Sequence, residues 1–121
     1  MPKRILCLED DSSIQLVLQY VFEMEKIMFL MSDDGREVVE RALEFKPDLI
    51  LMDVMMPLMD GITALKILQR DPSTSKIPVV FMTARIQPQE LQEYLTLGVK
   101  GVISKPFDPM TLITQLRAIY G

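Results

Sequence analysis

The sequence predicts an α/β fold in which one parallel sheet is covered on both faces by helices. Three observations carry that prediction. Five short apolar runs recur along the chain, segments with apolar residues at helical spacing separate them, and the alternation of run and helix is never broken. A strand buried on both faces reads as an unbroken apolar run, because helices lie over each side of it.

The elements follow in order. Ile5-Leu6-Cys7-Leu8 is the first strand. Ile14, Val17, Leu18, Val21 and Phe22 then repeat at helical spacing, and Asp11, Ser12 and Ser13 before them are good capping residues. Met28-Phe29-Leu30-Met31 is the second strand, and Ser32-Asp33-Asp34-Gly35 is a turn signature. Val38, Val39, Ala42 and Leu43 form the second helical stripe, which stops near Lys46-Pro47. Leu49-Ile50-Leu51-Met52 is the third strand and runs straight into Asp53. A loop from Val54 to Gly61 leads to a third helix marked by Ile62, Leu65 and Leu68, with Ala64 beside them. Asp71-Pro72-Ser73-Thr74-Ser75 ends it. Val79-Val80-Phe81-Met82 is the fourth strand, and Leu91, Tyr94 and Leu95 mark a fourth helix that ends near Gly98. Val102-Ile103 lies in a short fifth strand. Leu112, Ile113, Leu116 and Ile119 make the last helix, which begins near Asp108-Pro109.

Right-handed crossovers restrict the topology of five such units, and the flavodoxin-like doubly wound order 2-1-3-4-5 fits them best. The 121 residues form one domain, residues 1–121, with no linker or internal repeat. Apolar content of 49% is enough for one core without a staple. The single Cys7 cannot close an internal disulfide and reads as a buried structural thiol, which suits a reducing, cytoplasmic compartment. No apolar stretch reaches the length of a membrane span. A net charge of −4 with scattered Lys and Arg argues against direct nucleic-acid binding. The absence of histidine removes the commonest general base and transition-metal ligand.

In a doubly wound sheet, ligands bind at the carboxyl ends of the strands. Strand one ends in Glu9-Asp10-Asp11, strand three in Asp53, strand four in Thr83-Ala84 and strand five in Ser104-Lys105-Pro106. The order 2-1-3-4-5 makes these strands successive neighbours, so their ends form one pocket of carboxylates, a hydroxyl and an ammonium. Each residue alone has an ordinary structural reading: Asp11 as a helix cap, Thr83 as a turn residue, Lys105 as a surface charge. Four strand ends carrying complementary groups weaken that reading. Crowded carboxylates repel one another, and all-oxygen ligation points to Mg²⁺, Mn²⁺ or Ca²⁺. Few protein ligands, with positions open to water and phosphate oxygens, favour Mg²⁺, with Mn²⁺ as a substitute. An aspartate can attack a phosphoryl group, a step that needs little beyond positioning and charge stabilisation.

At these residues the chain resembles the response regulator receiver domain family, from Ile5 to about Tyr120. The motifs are Ile5 to Asp11, Leu49 to Pro57, Met59-Asp60-Gly61, Met82-Thr83-Ala84 and Lys105-Pro106-Phe107. The resemblance implies a phosphoacceptor switch of a two-component or phosphorelay system rather than a turnover enzyme. It implies that Asp53 is the acceptor. Asp10, Asp53 and the backbone carbonyl of Met55 would hold Mg²⁺, with Glu9 reaching it through water in place of the commoner Asp. Thr83 and Lys105 would each bind a phosphoryl oxygen. Lys105-Pro106 would be a cis peptide, and the small Ala84 would leave the donor room. The implied partner is a histidine kinase or histidine phosphotransfer protein, docking near Ile14, Gln15, Leu18 and Pro106. The implied state is a monomer or weak homodimer.

Two positions depart from the family's common pattern. Val102 stands where an aromatic residue usually lies, three residues before the lysine, so a different transmission of the signal is expected. Met55 and Arg85 stand where the family tunes hydrolysis, and neither is a ready orienter of water. A slow loss of phosphate is expected, with Arg85 free to pair with Glu9 or another nearby carboxylate. Of the nearby methionines, Met52 reads as core, whereas Met55, Met56 and Met59 read as loop fillers or partner contacts. Two other classes fit the residues less well. An unphosphorylated interaction module conflicts with the intact Asp10, Asp53, Thr83 and Lys105 set. A hydrolase with an aspartyl nucleophile usually needs a second carboxylate two residues on, where this chain has Met55.

Overall fold

A computed structural model describes residues 1–84 and 86–120. The strands are β1 (Arg4–Leu8), β2 (Met28–Ser32), β3 (Leu49–Asp53), β4 (Val79–Thr83) and β5 (Gly101–Ser104). The helices are α1 (Ser12–Met24), α2 (Val38–Phe45), α3 (Gly61–Arg70), α4 (Pro88–Thr96) and α5 (Pro109–Tyr120). A single 3-10 turn, Gly35–Glu37, precedes α2. All neighbouring strands pair in parallel, in the order β2-β1-β3-β4-β5. This is the expected topology.

Strand alternation divides the core in two. Ile5, Cys7, Leu49, Leu51, Val80, Met82 and Ile103 meet Leu18, Val21 and Phe22 of α1 and Leu112 and Leu116 of α5. Leu6, Leu8, Ile50, Met52, Val79 and Phe81 meet Ala42 of α2 and Ala64, Leu65 and Leu68 of α3. Successive side chains of a strand point to opposite faces, so each apolar run serves both layers. Cys7 is fully buried, and burial pushes its thiol well above the ordinary value, which makes it an inert packing residue.

Helix starts follow local chemistry. The Asp11 carboxylate accepts from the N–H groups of Ser13 and Ile14, as its capping role requires. Asp60, at the end of the loop expected from Val54 to Gly61, caps α3 by accepting from Thr63 N–H. The helical stripes hold with two exceptions: Leu43 and Leu95 are exposed, because each sits at the solvent edge of its stripe. At the amino end of the sheet, the Asp48 carboxylate accepts from the N–H groups of Lys3 and Arg4. The Arg4 guanidinium donates to the Phe45 carbonyl and lies 4.2 Å from the centre of the Phe45 ring.

Candidate phosphoacceptor site

The site lies at the opposite, carboxyl end of the sheet. Glu9, Asp53 and Lys105 continue the parity of Cys7, Leu51 and Ile103, so all three belong to the α1/α5 side. Thr83 continues the parity of Phe81 on the other side. The strand ends bring the expected groups together. Lys105 Nζ lies 2.6 Å from Glu9 Oε1 and 3.0 Å from Asp53 Oδ2. The Met55 N–H donates to Asp53 Oδ1 at 2.9 Å, and the Met55 side chain points out to solvent. Thr83 is buried, and its carbonyl accepts from Lys105 N–H at 2.9 Å, which ties β4 to the lysine. Asp10 is exposed at the rim.

Glu9 is the most confined of these groups, with 0% of its surface exposed. Burial raises its carboxyl above the ordinary value, although the Lys105 ammonium and the Asp11 N–H pull the other way. The Asp11 N–H donates to Oε2 at 3.1 Å. Oε1 has the ammonium close by yet receives no aligned hydrogen bond. Burial lowers the Lys105 ammonium, but the adjoining Glu9 and Asp53 carboxylates outweigh that and raise it above its ordinary value, so it stays charged.

One carboxylate oxygen from each of Glu9, Asp10 and Asp53 lies within 4.8 Å of the others. A buried carboxylate oxygen without an aligned donor, beside two further carboxylates, is a hard all-oxygen donor set. It fits a divalent cation of the Mg²⁺ type.

Two residues shape the site in ways the sequence reading did not assign. A Cβ on Gly61 would come within 2.7 Å of the Asp53 carbonyl oxygen and 2.9 Å of Val54 Cα. Only glycine lets the start of α3 back onto the end of β3, and the Gly61 N–H donates to the Val54 carbonyl at 2.8 Å. The motif was visible, but a steric reason for its glycine needs coordinates. Gln15 donates its side-chain amide to the Glu9 carbonyl at 2.6 Å and so holds the end of β1. The structure also corrects one expectation. Leu18 is fully buried in the α1/α5 core and cannot meet a docking partner. Met52 and Met56 are buried and Met59 packs beside them, so the methionine run is mainly packing, apart from Met55. The Lys105-Pro106 peptide is cis, as expected. The expectation for Arg85 lies outside the described residues.

A parallel 2-1-3-4-5 sheet that carries carboxylates, a hydroxyl and an ammonium at its carboxyl end defines a class: doubly wound signalling domains with an acidic site. The model of the response regulator receiver domain matches residues 5–117, and the chain belongs to that family, the phosphoacceptor domains of two-component signalling. The phosphate regulon transcriptional regulatory protein PhoB of Escherichia coli (strain K12) is 35% identical over 119 residues, which are 98% of this chain and 52% of PhoB. The DNA-binding response regulator MtrA of Mycobacterium leprae (strain TN) is 34% identical over 118 residues, 98% of this chain and 51% of MtrA. The chain thus spans about half the length of the curated relatives it matches.

Among solved structures, the chemotaxis response regulator CheY4 of Vibrio cholerae superposes with a TM-score of 0.89 at 27% identity, covering 98% of this chain and 99% of CheY4. The receiver domain of the sensor histidine kinase PA1611 of Pseudomonas aeruginosa PAO1 gives a TM-score of 0.84 at 25% identity and covers 100% of both chains. That structure has a magnesium ion coordinated in its active site cleft. Among the described residues, no helix of this chain is long and apolar enough to cross a membrane.

Proposed function

We propose that Asp53 is the residue that takes the phosphoryl group, and that residues 1–121 act as one receiver domain. The observation that carries this reading is the surroundings of its carboxylate. Asp53 is held by the Met55 N–H on one oxygen and Lys105 on the other, and faces Glu9 and Asp10 across a gap that a cation would fill. A carboxylate oxygen of Asp53 forms a bond to phosphorus as the bond from phosphorus to a donor imidazole nitrogen breaks. The donor lies in another molecule or domain, because these 121 residues contain no histidine. Lys105 and Thr83 bind the phosphoryl oxygens. Asp10, Asp53 and the Met55 carbonyl would hold Mg²⁺, or Mn²⁺ in its place, with Glu9 in support. When bound, the ion neutralises charge on the transferring group.

An apolar hollow of about 380 Å³ opens beside Lys105, lined by Ser13, Ile14, Val17, Ala84, Pro106 and Phe107. It suits the docking of a histidine kinase or histidine phosphotransfer protein, with Ile14 and Pro106 in contact and the small Ala84 leaving the donor a path. The chemistry of the domain is confined to its own phosphorylation and slow dephosphorylation, and its place is the cytoplasm. With Val102 in β5, Tyr94 of α4 supplies the aromatic ring of this region. It packs edge-on to Phe81, with ring centroids 5.4 Å apart.

Intact mass after incubation with Mg²⁺ and a small acyl phosphate tests the assignment. One added phosphoryl group is expected in the wild type, and none in Asp53→Asn or without Mg²⁺. Addition to Asp53→Asn, or none to the wild type from either the acyl phosphate or a phosphohistidine protein, would overturn it.

A further inference from the structure

The outer edge of β2 is open, and its character is unusual for an exposed edge. In the ladder with β1, the Met28 N–H donates to the Lys3 carbonyl, and the Ser32 carbonyl accepts from the Glu9 N–H. Met28, Leu30 and Ser32 therefore turn their backbone groups inward. By alternation, Phe29 and Met31 turn theirs out. No described hydrogen bond from outside the sheet reaches them. Exposed edges are usually blunted by a charge, a proline or a bulge. The five residues of β2 contain none of these.

The edge is also rigid and accessible. The Phe29 ring packs against Phe22 of α1, with centroids 5.4 Å apart, which fixes the strand from beneath. Leu30, Met31 and Ser32 form the floor of a groove of about 610 Å³. Gln15 and Gln19 of α1 make one wall, and Glu37 of the 3-10 turn with Arg41 of α2 the other.

Charge points to the occupant. Lys26 stands just before β2, and Asp33 and Asp34 stand just after it. We infer that the β2 edge pairs with the β2 edge of a second copy of this chain, antiparallel about a two-fold axis at Leu30. Phe29 then meets Met31 of the partner as a hydrogen-bonded pair, and Met31 meets Phe29. The same register sets Lys26 of each copy against the acidic Asp33-Asp34 turn of the other. A parallel addition would set like ends together. The contact is self-complementary, as a two-fold interface must be, and joins two five-stranded sheets into one. It needs neither phosphorylation nor a cation.

Sedimentation velocity over a wide concentration series, with amide hydrogen exchange of Phe29 and Met31, tests this on the intact chain. A dimer is expected, with protection of those two amides rising with its population. Asp33 is exposed and makes no hydrogen bond among the described residues, so Asp33→Lys leaves the fold intact. It should weaken the dimer about tenfold, through two symmetric like-charge contacts with Lys26. Adding Lys26→Glu to Asp33→Lys should restore it. A chain that stays monomeric throughout overturns the inference. So does a dimer that is indifferent to Asp33→Lys, or one in which the Phe29 and Met31 amides exchange as fast as in the monomer.

Discussion

Helices α1 and α4 have the same kind of neighbours and opposite attachments. α1 buries Leu18, Val21 and Phe22 completely, and Asp11 caps it with two hydrogen bonds. α4 buries no residue and has Gln87 at its cap position with no side-chain bond. Its main anchor is the half-buried Tyr94, whose ring packs edge-on to Phe81. The helix that frames Glu9 and the apolar hollow beside Lys105 is fixed. The helix that follows the Thr83 strand is held by a few contacts and can shift at small cost.

The contrast can be broken from either side. Phe22→Ala should have the largest effect, costing about 3–5 kcal/mol by urea denaturation. Tyr94→Ala should cost only about 1 kcal/mol, because its ring is half exposed. Asp11→Ala should cost about 1 kcal/mol through the lost cap. Gln87→Asp should move α4 the other way, a gain of about 0.5 kcal/mol, because Gln87 already has the extended backbone of a cap residue. Amide exchange should run faster along α4 than along α1, and Gln87→Asp should narrow the gap.

Acid should act more evenly than any of these substitutions. Asp34 beside Arg36, Asp71 beside Ser73 and Asp108 at the Thr111 N–H are all held below the usual carboxylate range. Each stabilises the folded state above its unfolded pKa. That stabilisation is lost as pH falls through the ordinary Asp range toward the lower folded values. Melting temperature should therefore drop on acidification below about pH 4. Glu9, held high by burial, opposes this drop.

Much of this was legible in the sequence. Apolar runs such as Leu49 to Met52 serve both faces of a sheet, so strands, order and the residues at the strand ends followed from pattern alone. Glu9, Asp10, Asp53, Thr83 and Lys105 fell where the topology required. What pattern could not supply was distance and depth. That Lys105 reaches both Glu9 and Asp53, or that Gly61 touches the acceptor backbone, depends on side-chain reach and helix approach. Leu18 was misread as surface for a related reason: helical period identifies a stripe but not how deep each member lies. Asp60 was missed as a cap because the loop before it carries no periodic signal.

The Asp48 and Arg4 contacts have a practical consequence. They pin the amino-terminal residues to the end of the sheet away from Asp53, about 17 Å off at the length of a five-residue strand. A fluorophore or affinity handle attached at Met1 would ride on a fixed point and stay blind to events at the acceptor. One placed on exposed Leu58, in the loop that follows Asp53, would sense them directly. A labelled pair at these two positions is a ruler with one end anchored by the fold.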